Sequence, residues 1–259
     1  MTKYSKKYSI MFGDMDINYK MTKISLAKYF QETFARYCSV HNIAAFDIIK
    51  NGLVWVISDL KIEISGKMPY WSEEFEVKIW MSEKTKLRTY IDFIILYKDE
   101  VIARGDSCWF ILNNETRRPV KSIDIVEPFE LCEEKVFGEH IKENYDNEGE
   151  KIAEKTHEVT VRDLDFNFHV NNLSYLGLAL ETIPSEYFKE YEISSYSIRF
   201  LKEAHLSDKL KCELFKSDNR ISSRIYDKET NADVCVIKSE YKKKTDFGRN
   251  PREQGIAFS

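Results

Sequence analysis

Two stretches of this chain alternate apolar and polar residues so regularly that each reads as an antiparallel strand with one wet face. In EEFEVKIW (73–80) Phe75, Val77 and Ile79 fall on one side, and in DKLKCELF (208–215) Leu210, Cys212 and Leu214 do the same. Further strand patterns run over 53–65, 87–97, 101–112, 192–203, 221–227 and 232–242. Two other stretches carry apolar residues nearly all round a helix: Ile24, Leu26, Tyr29 and Phe30 in one, Leu173, Tyr175, Leu176, Leu178 and Leu180 in the other. Such a helix demands burial on most sides. Asn171 or Asn172 can cap the start of the second helix, and Pro184 stops it.

The order of helix and then strands occurs twice because the chain contains a repeat. GDMDINYKMTKISLAKYFQET (13–33) aligns without gaps on RDLDFNFHVNNLSYLGLALET (162–182), an offset of 149 residues, as from Asp14 to Asp163. Asp14, Asp16, Asn18, Ser25, Glu32 and Thr33 fall on Asp163, Asp165, Asn167, Ser174, Glu181 and Thr182. One substitution breaks the match in chemistry: Lys20 takes the place of His169. The simplest assembly is α+β, one long helix wrapped by a long antiparallel sheet, made twice.

Composition supports a folded chain and narrows its setting. At 259 residues, 43% hydrophobic and 14% aromatic, the chain can bury a substantial core. A net charge of −4 exerts no general attraction on nucleic acid. There is no run of eighteen apolar residues, and the start, MTKYSKKYSIMFGDMD, lacks an apolar signal core, so a soluble protein without a targeting segment or membrane insertion is expected. Five scattered cysteines, an odd number without a CxxC pair, suit a reducing cytoplasm rather than a disulfide framework. Residues 1–118 are expected to form a first domain, 119–150 an acidic, partly helical linker with its boundary near Gly149, and 151–245 a second domain. The stretch 246–259 reads as a tail, within a polar and basic end that starts at Lys242.

In DLDFNFHVNN (163–172) an extended backbone would send Asp165, Asn167 and His169 out on one side, a row of acid, amide and base. Asp165 and Asn167 also recur as Asp16 and Asn18 in the half that lacks the imidazole, so capping the helix is a competing role for them. His169 has no such double. Asp163, repeated as Asp14, reads as a turn or cap residue. His41, His140 and His157 lack partners at metal spacing, and no metal is implied. Cys108 and Cys212 read as small core hydrophobes, and Trp55, Trp71, Trp80 and Trp109 as packing between sheets.

RDLDFNFHVNNLSYLGLALE resembles the NDLDxNxHVNNxxYxxWxxE pattern of the acyl-acyl carrier protein thioesterases, plant-type and bacterial enzymes that end fatty-acid synthesis. GLVWVISDLKIEISGKMPYWSEEFEVKIW and CWFILNNETRRPV resemble the family's tryptophan-serine strand, its P-x-W turn and its closing R-R-P strand, so the likeness runs from about residue 4 to about 243. The resemblance implies two tandem hotdog domains, with the acyl-chain pocket in the first, where Trp55 can line a tunnel, and one active site in the second. It also implies a glutamate 34 residues beyond the histidine, which is Glu203. In plant relatives a cysteine once proposed as nucleophile follows that glutamate; here Ala204 stands in its place, so a cysteine nucleophile is excluded there. The lack of a plastid transit segment favours a bacterial-type member.

The implied reaction is hydrolysis of acyl-acyl carrier protein to free fatty acid. It needs a nucleophile at the carbonyl carbon, donors for the oxyanion and a proton for the leaving thiolate. Asp165 attacks directly or activates water, Asn167 orients it, His169 transfers the proton, and Glu203 bonds the imidazole or completes the base system. Backbone N–H groups from Val170 to Asn172 are expected to face the thioester oxygen. Lys67, near the place corresponding to Glu203, shows no second glutamate site, and His205, two residues from Glu203, reads as a surface or supporting residue. No cofactor is implied. The implied partner is acyl carrier protein bearing a 4'-phosphopantetheine-linked acyl chain, with Lys242, Lys243, Lys244, Arg249, Arg117 and Arg118 as a docking patch for its acidic surface. The alternatives are an acyl-coenzyme A thioesterase and a hotdog module that binds acyl thioesters without cleaving them. Two hotdogs in one chain allow a monomer or a homodimer.

Overall fold

A computed structural model describes residues 3–140 and 149–244 of the chain, which divides into two compact units, Met1–Lys142 and Glu143–Ser259. The first unit runs β1 (Tyr4–Ser9), α1 (Lys23–Val40), a single turn α2 (Ala45–Ile48), β2 (Leu53–Ile64), β3 (Glu74–Lys84), β4 (Thr89–Tyr97) and β5 (Glu100–Asn113). Its strands are all antiparallel, in the order β1-β3-β4-β5-β2. The second unit runs β6 (Glu150–Glu158), α3 (Asn172–Thr182), α4 (Ser185–Glu190), β7 (Tyr191–Phe200), β8 (Lys209–Ser217), β9 (Arg220–Asp227) and β10 (Asp233–Lys243). Its order, β6-β8-β9-β10-β7, repeats that of the first unit strand for strand. The sequence repeat is thus a repeat of topology.

In each unit the helix lies against the sheet. Thr22 starts α1 by accepting the Ser25 N–H at 3.2 Å. Leu26, Ala27, Phe30 and Phe34 of this helix are then buried. Its rings reach three strands in turn: Tyr29 meets Phe75 of β3 at 4.7 Å between centroids, Phe30 meets Phe93 of β4 at 4.2 Å, and Phe34 meets Trp109 of β5 at 4.3 Å. Gly105 makes room for this packing, because a Cβ there would come within 2.3 Å of both the Phe93 ring and the Lys61 carbonyl oxygen. In the second unit Asn171 caps α3 by accepting the Leu173 N–H at 2.9 Å, and Tyr175, Leu176, Leu178 and Ala179 are buried. Phe75, Val77 and Ile79 on β3, and Leu210, Cys212 and Leu214 on β8, point inward as the alternation predicts.

Several elements depart from the sequence expectation. β1 and β6 do not appear in the strand pattern because both are edge strands with mostly exposed, charged side chains, which is how a sheet blunts its edge. Pro184 ends α3 but also opens α4, since a proline lacking its N–H fits just before a new first turn. The stretch expected as a linker is, over 119–140, part of the first unit. Val126 and Phe129 are buried, Trp80 Nε1 donates to the Glu134 carbonyl at 2.7 Å, and the Val136 N–H donates to Asp92 Oδ1 at 2.8 Å. Its described helix is one 3-10 turn, Ser122–Asp124, and residues 141–148 lie outside the described residues. This strap explains why Trp80 and Asp92, whose alternation points them away from α1, are nevertheless buried. Lys242 and Lys243, expected in a tail, complete β10 opposite Glu192 and Tyr191; residues 245–259, Arg249 among them, lie outside the described residues.

Trp71, expected as packing between sheets, is 37% exposed and packs edge-on against Phe12. Cys38, Cys108, Cys212 and Cys235 are buried and Cys132 is half-buried, all as free thiols. Among the described residues no helix is long and apolar enough to cross a membrane.

Candidate active site

The segment DLDFNFHV is a tight loop rather than an extended strand. Leu164 bridges Val170, the Asp165 N–H donates to the His169 carbonyl at 2.8 Å, and Phe168 takes a left-handed φ of 62°. The cause is the aspartate itself: Asp165 Oδ1 accepts the N–H of Asn167 at 2.8 Å and of His169 at 3.3 Å, folding the backbone around the carboxylate. The row of side chains on one face is therefore replaced by a ring of backbone amides about one carboxylate. Asn167 enters this ring through its backbone.

The first unit builds the same loop. Asp16 Oδ1 accepts the N–H of Asn18 at 2.8 Å and of Lys20 at 3.1 Å, and Tyr19 has a φ of 61°. Each loop is then tied to a distant segment by an equivalent backbone bond, Met21 N–H to the Pro69 carbonyl and Val170 N–H to the Ala204 carbonyl, both at 2.9 Å, and the first loop adds a second, Trp71 N–H to the Tyr19 carbonyl at 3.0 Å. That pairing makes Met68, not Lys67, the counterpart of Glu203, and Tyr70 the counterpart of His205. Lys20 Nζ accordingly lies 5.4 Å from the centre of the Tyr70 ring, where the second unit sets His169 edge-on to His205 at 5.0 Å.

The bond from Val170 to Ala204 brings together residues 34 positions apart in the chain. His169 Nδ1 lies 3.8 Å from Glu203 Oε1, and both side chains are partly exposed. His205 stands beside them, its N–H donating to Asp208 Oδ2 at 2.8 Å. Of the four residues singled out in the sequence, the structure joins His169 to Glu203 by side chains and Asp165 to both Asn167 and His169 through backbone amides. The helix-start donors are different from expectation: the Val170 N–H is taken by Ala204 and the Asn171 N–H by the Asp163 carbonyl at 2.7 Å, because both are used to anchor the loop.

Sequence reasoning missed one pairing. His157 Nε2 lies 2.9 Å from Asp163 Oδ2, which also accepts the N–H and hydroxyl of Thr160 at 2.8 Å. Burial pushes the Asp163 carboxyl up, but these three donors outweigh it and hold the group below its ordinary value. The repeat does not carry this pair, since Tyr8, 149 residues before His157, bonds Thr33 at 2.9 Å while the counterpart Asp14 is bonded by Tyr29 and Lys28 at 2.7 Å each. The pair borders a small cleft lined by Val159, Val170, Tyr175, Leu178 and Leu210 inside the second unit. His41 packs on Tyr37 and Phe129, and His140 Nδ1 lies 3.2 Å from Asp106. Burial pushes the Cys212 thiol up to about 11 and also raises Cys38 and Cys235 well above the ordinary thiol value, so these thiols are not thiolates at neutral pH.

Comparison with known proteins agrees with this two-part organisation. The model of the acyl-ACP thioesterase N-terminal domain matches residues 1–129, and that of the C-terminal domain matches residues 146–243. The chloroplastic acyl-[acyl-carrier-protein] hydrolase FATB3 of Cuphea viscosissima is 25% identical over 261 residues, covering 93% of this chain and 63% of the relative. A chloroplastic oleoyl-acyl carrier protein thioesterase of Coriandrum sativum is 28% identical over 225 residues, covering 79% of this chain and 60% of the relative. The chain thus spans less than two thirds of the length of these relatives. Among solved structures, an acyl-ACP thioesterase from Bacteroides thetaiotaomicron superposes with a TM-score of 0.80 at 22% identity, covering 93% of this chain and 98% of the other. A 12:0-ACP thioesterase from Umbellularia californica does so with 0.79 at 19% identity, covering 94% and 98%. With two helix-on-sheet units of identical strand order, both family domains matched in sequence and neighbours of the same fold along nearly the whole chain, the protein is a tandem hotdog that belongs to the acyl-ACP thioesterase family.

Proposed function

We propose that this chain hydrolyses the thioester of acyl-acyl carrier protein, releasing a free fatty acid and the carrier thiol. The observation that carries the reading is the asymmetry of two otherwise matched loops. The second holds His169 beside Glu203, a proton-transfer group with a carboxylate, where the first holds Lys20 and Met68. A module that only binds acyl thioesters has no use for that pair.

In this reading the carboxylate of Asp165 attacks the carbonyl carbon or draws a proton from the water that does, and Asn167 orients the nucleophile. His169 carries the proton to the departing sulfur as the C–S bond breaks, with Glu203 holding the imidazole. When water attacks, its proton passes to the sulfur and its hydroxyl stays on the acyl carbon; when Asp165 attacks, His169 hands a proton to the sulfur and regains one from the water that then splits the acyl–Asp165 anhydride, so either route consumes one water and ends in acid and thiol. The first unit supplies the acyl pocket and the second the chemistry, and the four residues Asp165, Asn167, His169 and Glu203 form the single site. The exposed Lys242 and Lys243, with Lys244 and separately Arg117 and Arg118, offer cations to an acidic carrier. Five free cysteines suit a reducing cytoplasm.

The test is thiol release by the purified chain on matched acyl-carrier and acyl-coenzyme A substrates. Faster turnover of the carrier form is the expected result. Preference for coenzyme A would reassign the substrate, and no hydrolysis of either would leave a binding module.

A further inference from the structure

We propose that His169, Glu203 and His205 together form a binding site for a divalent transition-metal ion, zinc being the best match, and that an ion held there switches the active site off. One ligand atom from each of the three side chains lies within 4.8 Å of the other two. Two imidazoles and one carboxylate are the donor set that zinc, cobalt and nickel accept with positions left open for water. Only His169 and Glu203 belong to the proposed hydrolytic machinery; His205 has no part in it, and it is His205 that turns a pair into a triad.

The backbone prepares this arrangement. The bond from the Val170 N–H to the Ala204 carbonyl fixes the two ligand-bearing segments against each other. The Ser207 N–H donates to the Val159 carbonyl at 2.9 Å and the His205 N–H to Asp208 Oδ2, so the turn that carries His205 is pinned at both ends. Asp208 Oδ2 also lies 3.9 Å from His205 Nδ1, the place of the outer carboxylate that orients a ligating imidazole. Zinc–ligand bonds of about 2.0–2.1 Å put neighbouring ligands about 3.3 Å apart, so the three side chains must close by up to about 1.5 Å. All three side chains reach solvent, with side-chain exposures of 27% for His169, 37% for Glu203 and 58% for His205.

The repeat provides an internal control. The first unit places Lys20, Met68 and Tyr70 at the corresponding positions, a cation, a thioether and a phenol, which do not make a zinc site. One ion per chain is therefore expected. An ion that uses the His169 lone pair and the Glu203 carboxylate removes both from proton transfer; this inhibitory consequence rests on the thioesterase reading, whereas the binding does not.

The experiment titrates cobalt into the metal-free full chain, follows the visible cobalt absorption, and then measures zinc affinity by competition with a chromophoric chelator. The expected result is one cobalt per chain without a cobalt–thiolate band, displaced by zinc. His205→Ala should weaken zinc binding by at least about tenfold, and Asp208→Asn by about tenfold, the usual loss for an outer-partner change. Lys20→Ala should bind as the parent does. Parental zinc affinity in His205→Ala, absence of stoichiometric uptake at micromolar metal, or a cobalt–thiolate band would each overturn the site. On an acyl-carrier substrate, zinc should inhibit at the concentration at which it binds, and a chelator should restore the rate. Full turnover with zinc bound would overturn the inhibitory role, while a chain that binds zinc but hydrolyses neither thioester would strike the thioesterase reading and leave the metal site standing.

Discussion

Asp165 Oδ1 lies 2.8 Å from the amide nitrogen of Asn167, and Asp16 Oδ1 lies 2.8 Å from that of Asn18, so one aspartate folds the same loop in both halves of the molecule. This gives the two aspartates a shared structural task and, under the proposed function, Asp165 a second one. Asp16→Ala and Asp165→Ala should each lower stability by about 1 kcal/mol, the usual cost of losing a capping acceptor. Asparagine at either position keeps an acceptor oxygen and should stay within about 0.5 kcal/mol of the parent. Asp165→Asn should nevertheless lose most turnover while Asp16→Asn keeps it. Thermal melts read the first effect and thiol release the second; full turnover by Asp165→Asn would confine the carboxylate to shaping the loop.

His169 and Lys20 end these two loops, and only the first carries an imidazole. His169→Ala should remove most turnover, by about 10²- to 10⁴-fold, while leaving acyl binding in place. Lys20→Ala should change the rate little. Equal losses at both positions, measured on the same substrate, would show that the loops share the chemistry.

Thiol chemistry has no place in this mechanism. Ala204, not a cysteine, follows Glu203, and the thiol of Cys212 is buried and held protonated. Cys212→Ser should retain substantial turnover, whereas Glu203→Gln should slow it by about 10²-fold or more. Mass spectrometry of the enzyme quenched during turnover should find no acyl group on any cysteine. An acyl group on Asp165 would select direct carboxylate attack over activation of water.

Asp92 and Asp106 face each other across β4 and β5, each 1% exposed. Burial, with the charge of Asp106 added, raises the Asp92 carboxyl above its ordinary 3.8 although Ser82 and the Val136 N–H pull the other way. A raised value in the folded state means that the neutral acid is the form the fold prefers. Its stabilising contribution is complete below 3.8 and is lost as pH rises through the raised value. Asp92→Asn keeps the acceptor for Val136 and removes the charge, so at pH 7 it should gain on the order of 1 kcal/mol, or about 2–4 °C in Tm. At pH 3 the gain should vanish. Melting curves across this range check it, and a destabilised Asp92→Asn at pH 7 would show that the charge is compensated by the strap.

The duplicated helix-and-sheet plan is legible in the chain's pattern, apart from the two charged edge strands β1 and β6. The gapless repeat at an offset of 149 residues set two copies, and period-two alternation in 73–80 and 208–215 set which faces meet the helix. Thr33 and Thr182 bonding back to Tyr29 and Leu178 at 2.6 and 2.7 Å show how far that equivalence extends. These features are local and periodic, and periodicity survives without coordinates. What contact over long separations controls emerges only in the folded chain. Folding turned the extended backbone expected within 163–172 into a loop, because a carboxylate that bonds its own backbone overrides alternation. It laid 119–140 over Trp80 and Asp92, burying positions that alternation would leave wet. It also set His169 and Glu203 side by side with His205, a meeting that depends on one backbone bond between Val170 and Ala204, since no spacing along the chain states which turn of a sheet will face which loop.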